Sequence, residues 1–307
     1  DYLTFMAETI LDYVLRMAWK ILIDKHGAPL QENGEQCDPS FIIVGYGKLG
    51  GLELGHGSDL DLVFIHAAGS GETVADAALG QTPIENGIFF TRLGQRIIHI
   101  LSTRMVNGIL YDVDMRLRPS GNSGLLVASL KSFQRYQEND AWTWEHQALT
   151  RARVVAGSLS LAQQFSVVRA QVLGRERDVE KLRNEVVDMR NKMRVQLDKS
   201  DAQHFDLKHG LGGIVDLEFI VQFSVLAQGH AHPNLLIWPD NIRILEQMAV
   251  SDLLTTEQAE SLMDAYRQLR MRGHRRTLLG EPTLIGVDEL LPERGVVQAA
   301  WRSSLGS

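Results

Sequence analysis

Residues 41–66, FIIVGYGKLGGLELGHGSDLDLVFIH, decide how the rest of the chain is read. Phe41, Ile42, Ile43 and Val44 form an uninterrupted apolar run, the signature of a buried strand. A turn rich in glycine follows, Gly45 to Gly51, where the backbone can bend sharply and approach a ligand. After a polar connection, Ser58-Asp59-Leu60-Asp61 leads into Leu62, Val63, Phe64 and Ile65, a second strand. Residues two apart in a strand share a face, so Asp59 and Asp61 project together while Leu60 and Leu62 face the core. Adjacent carboxylates repel unless a cation lies between them. Oxygen ligands of this kind suit Mg²⁺ held together with the phosphates of a nucleotide. An isolated D-x-D is more often a pair of solvated acids at a strand edge; the preceding strand and glycine turn favour the metal here.

The chain has 307 residues, room for two domains or one large one. It begins at Asp1 rather than Met and is read as a fragment. A hydrophobic content of 44% and a charged content of 22% are those of an ordinary globular protein. No apolar run approaches the roughly 18 residues that span a bilayer, and no signal peptide is visible, so no membrane is expected. The single cysteine, Cys37, rules out an internal disulfide framework and suits a reducing cytoplasm. A net charge of −7 gives no support to a nucleic-acid surface.

Around the central stretch, residues 2–25 read as a helix, with Leu3, Met6, Ile10, Tyr13, Met17 and Ile21 as its apolar stripe. Residues 67–84 read as a mobile surface loop, and 85–104 as a helix burying Ile88, Leu93, Ile97, Ile98 and Leu101. From Val113, alternation predicts a half-buried strand with Asp114, Arg116 and Arg118 on its open face. Leu125-Leu126-Val127 is expected to return antiparallel. Two short helices follow at 129–138 and 141–150, with Trp142 and Trp144 in the core. Beyond residue 158 the pattern is helical throughout, with 214–228 apolar nearly all round. Asp240 reads as an N-cap, and Thr255 with Gln258 as a capping box. The expected layout is an N-terminal helix over 1–35, an α/β unit over 36–157 and an all-helical domain over 158–307.

Asp59 and Asp61 on one strand, with Asp114 on a neighbour, are suited to two Mg²⁺ ions clamping the attacking and leaving oxygens of an in-line phosphoryl displacement. Asp112 lies on the same alternation as Asp114, which is preferred because it heads the arginine-bearing face. Gly50 and Gly51, taken as the start of the next helix, would offer backbone N–H groups to phosphate. Lys48, Arg116 and Arg118 would neutralise triphosphate charge, and Ser58 would hydrogen-bond a phosphate oxygen. The plainer reading of the arginines is ordinary surface pairing with acids. Gly212-Gly213 either binds an anion or permits close helix packing. Glu218 needs a partner in its apolar helix, and an arginine of the first domain is the candidate.

These motifs resemble the glutamine synthetase adenylyltransferase family, within the DNA polymerase β-like nucleotidyltransferases. The resemblance rests on GYGKLGGLEL over 45–54, SDLDL over 58–62, VDMRLRP over 113–119, Trp144-Glu145 with Arg151-Ala152-Arg153, and GGIVDLEFIVQ over 212–222. It implies an α+β fold: a polymerase β-like nucleotidyltransferase domain with a mixed sheet and flanking helices, then an all-α bundle. It also implies Asp59, Asp61 and Asp114 as catalytic metal ligands for Mg²⁺ or Mn²⁺, with ATP as substrate and glutamine synthetase as partner. The PII signalling protein and glutamine would be regulators. Tyr46, Leu60 and the run SGNSG over 120–124 resemble the adenylylating C-terminal half, which attaches AMP to a tyrosine of the synthetase. The alternatives are the deadenylylating half, a catalytically silent regulatory domain, or a nucleotidyltransferase with another substrate on the same fold.

Overall fold

The computed structural model describes residues 2–106 and 108–306. Asp1, Asn107 and Ser307, which include the outer ends of the expected first and last domains, lie outside the described residues. Helix α1 (Tyr2–His26) leads to strand β1 (Phe41–Gly45), the one-turn helix α2 (Gly47–Gly50) and β2 (Leu60–His66). Next come α3 (Asn86–Ser102), β3 (Val113–Asp114), β4 (Val127–Ser129), α4 (Leu130–Asn139), α5 (Thr143–Thr150), β5 (Arg153–Gly157) and α6 (Leu159–Leu173). The remainder is α7 (Val179–Leu197), β6 (His204–Asp206), α8 (Ile214–Gln228), α9 (Asn241–Val250), α10 (Thr256–Leu278), β7 (Leu284–Gly286) and α11 (Leu291–Leu305). The fold is mixed α+β.

Two units emerge, Asp1–Ala141 with Arg151–Val172, and Trp142–Thr150 with Leu173–Ser307. They differ from the boundaries drawn at 35 and 157. Helix α1 packs on α3 and β5 and so belongs with the sheet, whereas α5 packs on α7 and α8.

In the first unit β1 is central, antiparallel to both β2 and β5. The outer edge of β2 is shared: β3 pairs with its beginning and β4 with its end, both parallel. The expected antiparallel return of residues 125–127 is thus corrected, because β4 joins β2 and not β3. Phe41 and Ile43 of β1, with Leu60, Leu62 and Phe64 of β2, join the core that α1 and α3 complete. Ile42, Val44, Val63 and Ile65 are buried as well, facing the other way. Burial on both faces is why these strands read as continuous apolar runs. Helix α4 packs against β2 and β4, and its Phe133 meets Phe165 of α6 at 5.6 Å.

Helix α1 buries Ala7, Leu11, Val14, Leu15, Ala18, Trp19 and Leu22; of the stripe expected from the sequence only Leu3 and Ile10 pack, partly buried, against this core. Met6, Tyr13, Met17 and Ile21 are exposed. Helix α3 buries Phe89, Phe90, Leu93, Ile97 and Leu101, while Ile88 faces solvent.

The second unit centres on α8, whose residues from Val215 to Leu226 are buried save Glu218. Asp240 and the Thr255–Gln258 capping box close the N-termini of α9 and α10 as expected. The unit is not purely helical, since β6 and β7 pair antiparallel and bury Phe205 and Ile285. Gly212 has φ +83°, and a Cβ there would lie 2.6 Å from the Arg294 carbonyl oxygen. Its amide donates to Asp216 at 2.7 Å. Close packing, not anion binding, explains this glycine. Glu218 accepts from the Tyr266 hydroxyl at 3.3 Å, within the same unit. Trp142 and Trp144 are 70% and 38% exposed, which overturns their expected place in the core.

Candidate metal centre

The register between β2 and β3 builds the site. Asp61 and Asp114 are direct partners across this parallel pair, and the Leu60 amide donates to the Asp112 carbonyl at 2.9 Å. Partners in adjacent strands project to the same face. Asp59, two residues before Asp61, adds a third carboxylate from that side. One carboxylate oxygen from each of Asp59, Asp61 and Asp114 lies within 4.8 Å of the others. Asp59 and Asp114 border an open cleft of about 470 Å³ that is also lined by Asp112, Met115, Arg116 and Asn122.

The electrostatics are asymmetric. Burial pushes the Asp61 carboxyl up to about 6, and Asp59 and Asp114 push it the same way against Lys48 and Arg116. Asp114 is held below the usual carboxylate range by its hydrogen bonds from Arg116, with Arg118 acting in the same direction. Arg116 Nε lies 3.0 and 2.8 Å from the two Asp114 oxygens, and Nη2 lies 2.5 Å from Oδ2. The Arg116 amide also donates to Asp114 Oδ1 at 2.8 Å. This Asx-type turn ends β3 at Asp114, so the strand expected to continue through Arg118 stops there. Arg116 pairs with the site carboxylate itself rather than with Asp112. Arg118 donates to the Met115 carbonyl at 2.8 Å and to that of Asn122 at 3.3 Å, bracing the loop that carries Asn122.

The glycine turn acts differently from its sequence reading. The amides of Gly50 and Gly51 donate to the carbonyls of Tyr46 and Gly47 at 3.0 Å each. The helical turn ends there instead of starting, so these amides do not form a phosphate cradle. A Cβ on Gly50 would lie 1.9 Å from the Arg151 carbonyl oxygen, and one on Gly51 2.5 Å from Arg151 Nη2. Arg151 is ion-paired to Glu53, and Arg153 reaches the Gly50 carbonyl at 3.2 Å and pairs with Glu8. The arginines of the Arg151-Ala152-Arg153 motif therefore clamp the turn. The glycine that serves the site is Gly47. It has φ +54°, and a Cβ there would lie 2.5 Å from Asp61 Oδ2. Lys48 is exposed beside this position, and Ser58 Oγ accepts from the Gly55 amide at 3.2 Å, leaving its own proton available. Gly47 and Asn122 were not singled out from the sequence, although both lie in glycine-rich stretches flanking the acids.

Three carboxylates and no nitrogen or sulfur ligand make a hard donor set, suited to Mg²⁺ or Mn²⁺. The uncompensated charge at Asp61 is what a bound cation would relieve, so the residues present fit such an ion.

A mixed sheet in an α+β unit thus gathers three acids that could hold a metal ion, beside a basic rim. The family model described as glutamate-ammonia ligase adenylyltransferase matches residues 1–168, and the chain belongs to that family. Residues 161–280 match a second model, GlnD PII-uridylyltransferase. The chain is 52% identical to the bifunctional glutamine synthetase adenylyltransferase/adenylyl-removing enzyme of Pseudomonas putida, over 98% of its own length and 32% of that protein. The enzyme of the same name from Hahella chejuensis is also 52% identical, over 98% and 31%. That of Shewanella frigidimarina is 49% identical, over 95% and 30%. The chain thus spans about a third of the length of these relatives. Among the described residues, no helix is long and apolar enough to cross a membrane.

Proposed function

We propose that this chain moves AMP from ATP to a tyrosine of glutamine synthetase, on a polymerase β-like nucleotidyltransferase domain followed by a mainly helical one. The observation that carries the reading is the convergence of Asp59, Asp61 and Asp114 within 4.8 Å, beside Lys48 and Arg116. Attack of the tyrosine oxygen on the α-phosphorus forms one P–O bond and breaks another, releasing pyrophosphate and the phenolic proton. Two divalent ions held by these carboxylates would neutralise phosphate charge and favour the phenolate. Lys48, Arg116 and the Ser58 hydroxyl are assigned to the triphosphate. Arg118 orders the neighbouring loop. Gly50 and Gly51 are assigned to the clamp with Arg151.

The relatives' printed name also covers adenylyl removal, so phosphorolysis of adenylylated synthetase to ADP is the second reading, on the same carboxylates. The motifs around Tyr46, Leu60 and residues 120–124 favour the adenylylating direction. Regulation by PII and glutamine is part of the proposal; the likeness of residues 161–280 to a PII-uridylyltransferase bears on the PII part alone. The setting is cytoplasmic. The test incubates the chain with unmodified glutamine synthetase, Mg²⁺ and ATP labelled in its α-phosphate. Label should enter the synthetase, and Asp61→Asn should abolish transfer while the fold persists. Full activity of that variant overturns the assignment; ADP formed from modified synthetase and phosphate, without transfer, selects the second reading.

A further inference from the structure

A second cleft of about 470 Å³ lies between the C-terminal end of α1 and the middle of α3. Its polar lining is Lys25, His26, Arg92, Gln95, Arg96 and His99, and no acid lines it. Ile21 and Leu22 supply an apolar wall. In a chain of net charge −7, a concavity lined only by basic and neutral groups runs against the overall balance. Lys25, Arg92 and Arg96 are ion-paired to no carboxylate among the described residues.

Helix dipoles explain only part of this cluster. Lys25, His26 and His99 occupy the last turns of their helices, where positive charge complements the C-terminus. Arg92 and Arg96 lie more than a turn before the end of α3, beyond the reach of that effect. With Gln95 and His99 they follow the spacing of a single helix face.

His26 supplies the second argument. It is 4% exposed, and its Nδ1 lies 2.8 Å from the Thr82 carbonyl oxygen. The ring hydrogen is therefore assigned to Nδ1, which leaves Nε2 to accept from Arg92 Nη1 at 3.1 Å. A buried neutral imidazole thus orients a guanidinium at the pocket wall. An arginine positioned by a carboxylate has its charge compensated; Arg92, positioned by a neutral ring, keeps its full charge for an anion from solvent.

We propose that this cleft binds a small multivalent oxyanion, phosphate or carboxylate in type, through Arg92, Arg96 and Lys25, independently of the acidic centre. Its volume falls within the roughly 300–1,000 Å³ of small-ligand pockets. The two sites have opposite charge requirements, so removing divalent metal separates them.

The test titrates the full chain calorimetrically with inorganic pyrophosphate and, separately, with citrate. The buffer is freed of metal on a chelating resin, because EDTA is itself a polycarboxylate. At least one probe should bind, and the Arg92→Gln/Arg96→Gln variant should bind it at least tenfold more weakly. Lys25→Gln, altering an exposed side chain on the other helix, should give a smaller loss. Asp59→Asn/Asp61→Asn should leave affinity unchanged. Binding of pyrophosphate alone identifies the phosphate type, and of citrate alone the carboxylate type. Failure of both probes to bind, or equal binding by wild type and the double arginine variant, overturns the proposal.

Discussion

Asp61→Asn should stabilise the metal-free protein, and only above a definite pH. The Asp61 carboxyl rises from 3.8 to about 6 on folding, chiefly through burial and then through repulsion from Asp59 and Asp114. A raised carboxyl pKa means the folded state resists ionisation. The penalty is absent below about pH 3.8, grows as the pH climbs and is complete above about 6. At about 1.36 kcal/mol per pH unit the full effect is about 3 kcal/mol, an upper bound because the exposed Asp59 carboxylate can relax. Asparagine keeps the shape and removes the charge. Among the described residues the carboxylate accepts no hydrogen bond that asparagine would lose.

Hydrogen exchange of the β1 and β2 amides reads the opening of this unit specifically. In metal-free buffer at pH 7.5, exchange through global opening should be slower in the variant by up to about a hundredfold. At pH 4 the two proteins should differ little. Adding Mg²⁺ should protect the wild type and not the variant, which narrows or reverses the gap. Equal exchange at pH 7.5, or a gap of the same size at pH 4, would refute the electrostatic reasoning.

Gly47→Ala should cost about 1–2 kcal/mol for its left-handed backbone and at least tenfold in AMP transfer, because the new methyl displaces the Asp61 carboxylate. Circular dichroism alongside the label-transfer assay separates the two effects. Arg116→Gln should free Asp114, tightening Mn²⁺ binding in the absence of nucleotide while AMP transfer falls; a manganese titration followed by electron paramagnetic resonance measures the first. The Arg151–Glu53 pair is buried, with side chains 5% and 10% exposed. Arg151→Met should therefore destabilise by about 3–5 kcal/mol in urea, and adding Glu53→Leu should recover part of that loss.

What the sequence disclosed follows the range of the interactions involved. Asp59 and Asp61 were legible because a period of two is local. Pairing with Asp114 depends on the register of strands far apart in the chain, and family likeness pointed to it where alternation alone left Asp112 open. Helix α1 was misread because it carries apolar residues on two faces. The buried one includes Ala7 and Ala18, whose small side chains allow close packing but weaken the pattern. Gly50 and Gly51 were misread because a glycine that admits a ligand and one that admits an arginine look alike in sequence. The strand after Asp114 was overextended because alternation says nothing of a side chain folding back on its own backbone.

Two neighbouring carboxylates in this site are held in opposite electrostatic states by the same few residues. Arg116 compensates Asp114 through three side-chain contacts and a backbone turn, whereas Asp61, its partner across the strands, has no hydrogen-bonded cation among the described residues. Were both compensated, the fold would gain stability and the site would lose its attraction for a divalent ion. Were neither compensated, three like charges on one sheet edge would weigh against the pairing of β3, which is only two residues long. Arg116 is well suited to divide the difference because its side chain is 75% exposed and, among the described residues, is ion-paired only to Asp114. It can leave Asp114 for a phosphate without disturbing the core. The buried Arg151 and half-buried Arg153, by contrast, hold the glycine turn through Glu53, Glu8 and backbone carbonyls, and cannot move without loosening the strand that carries the site.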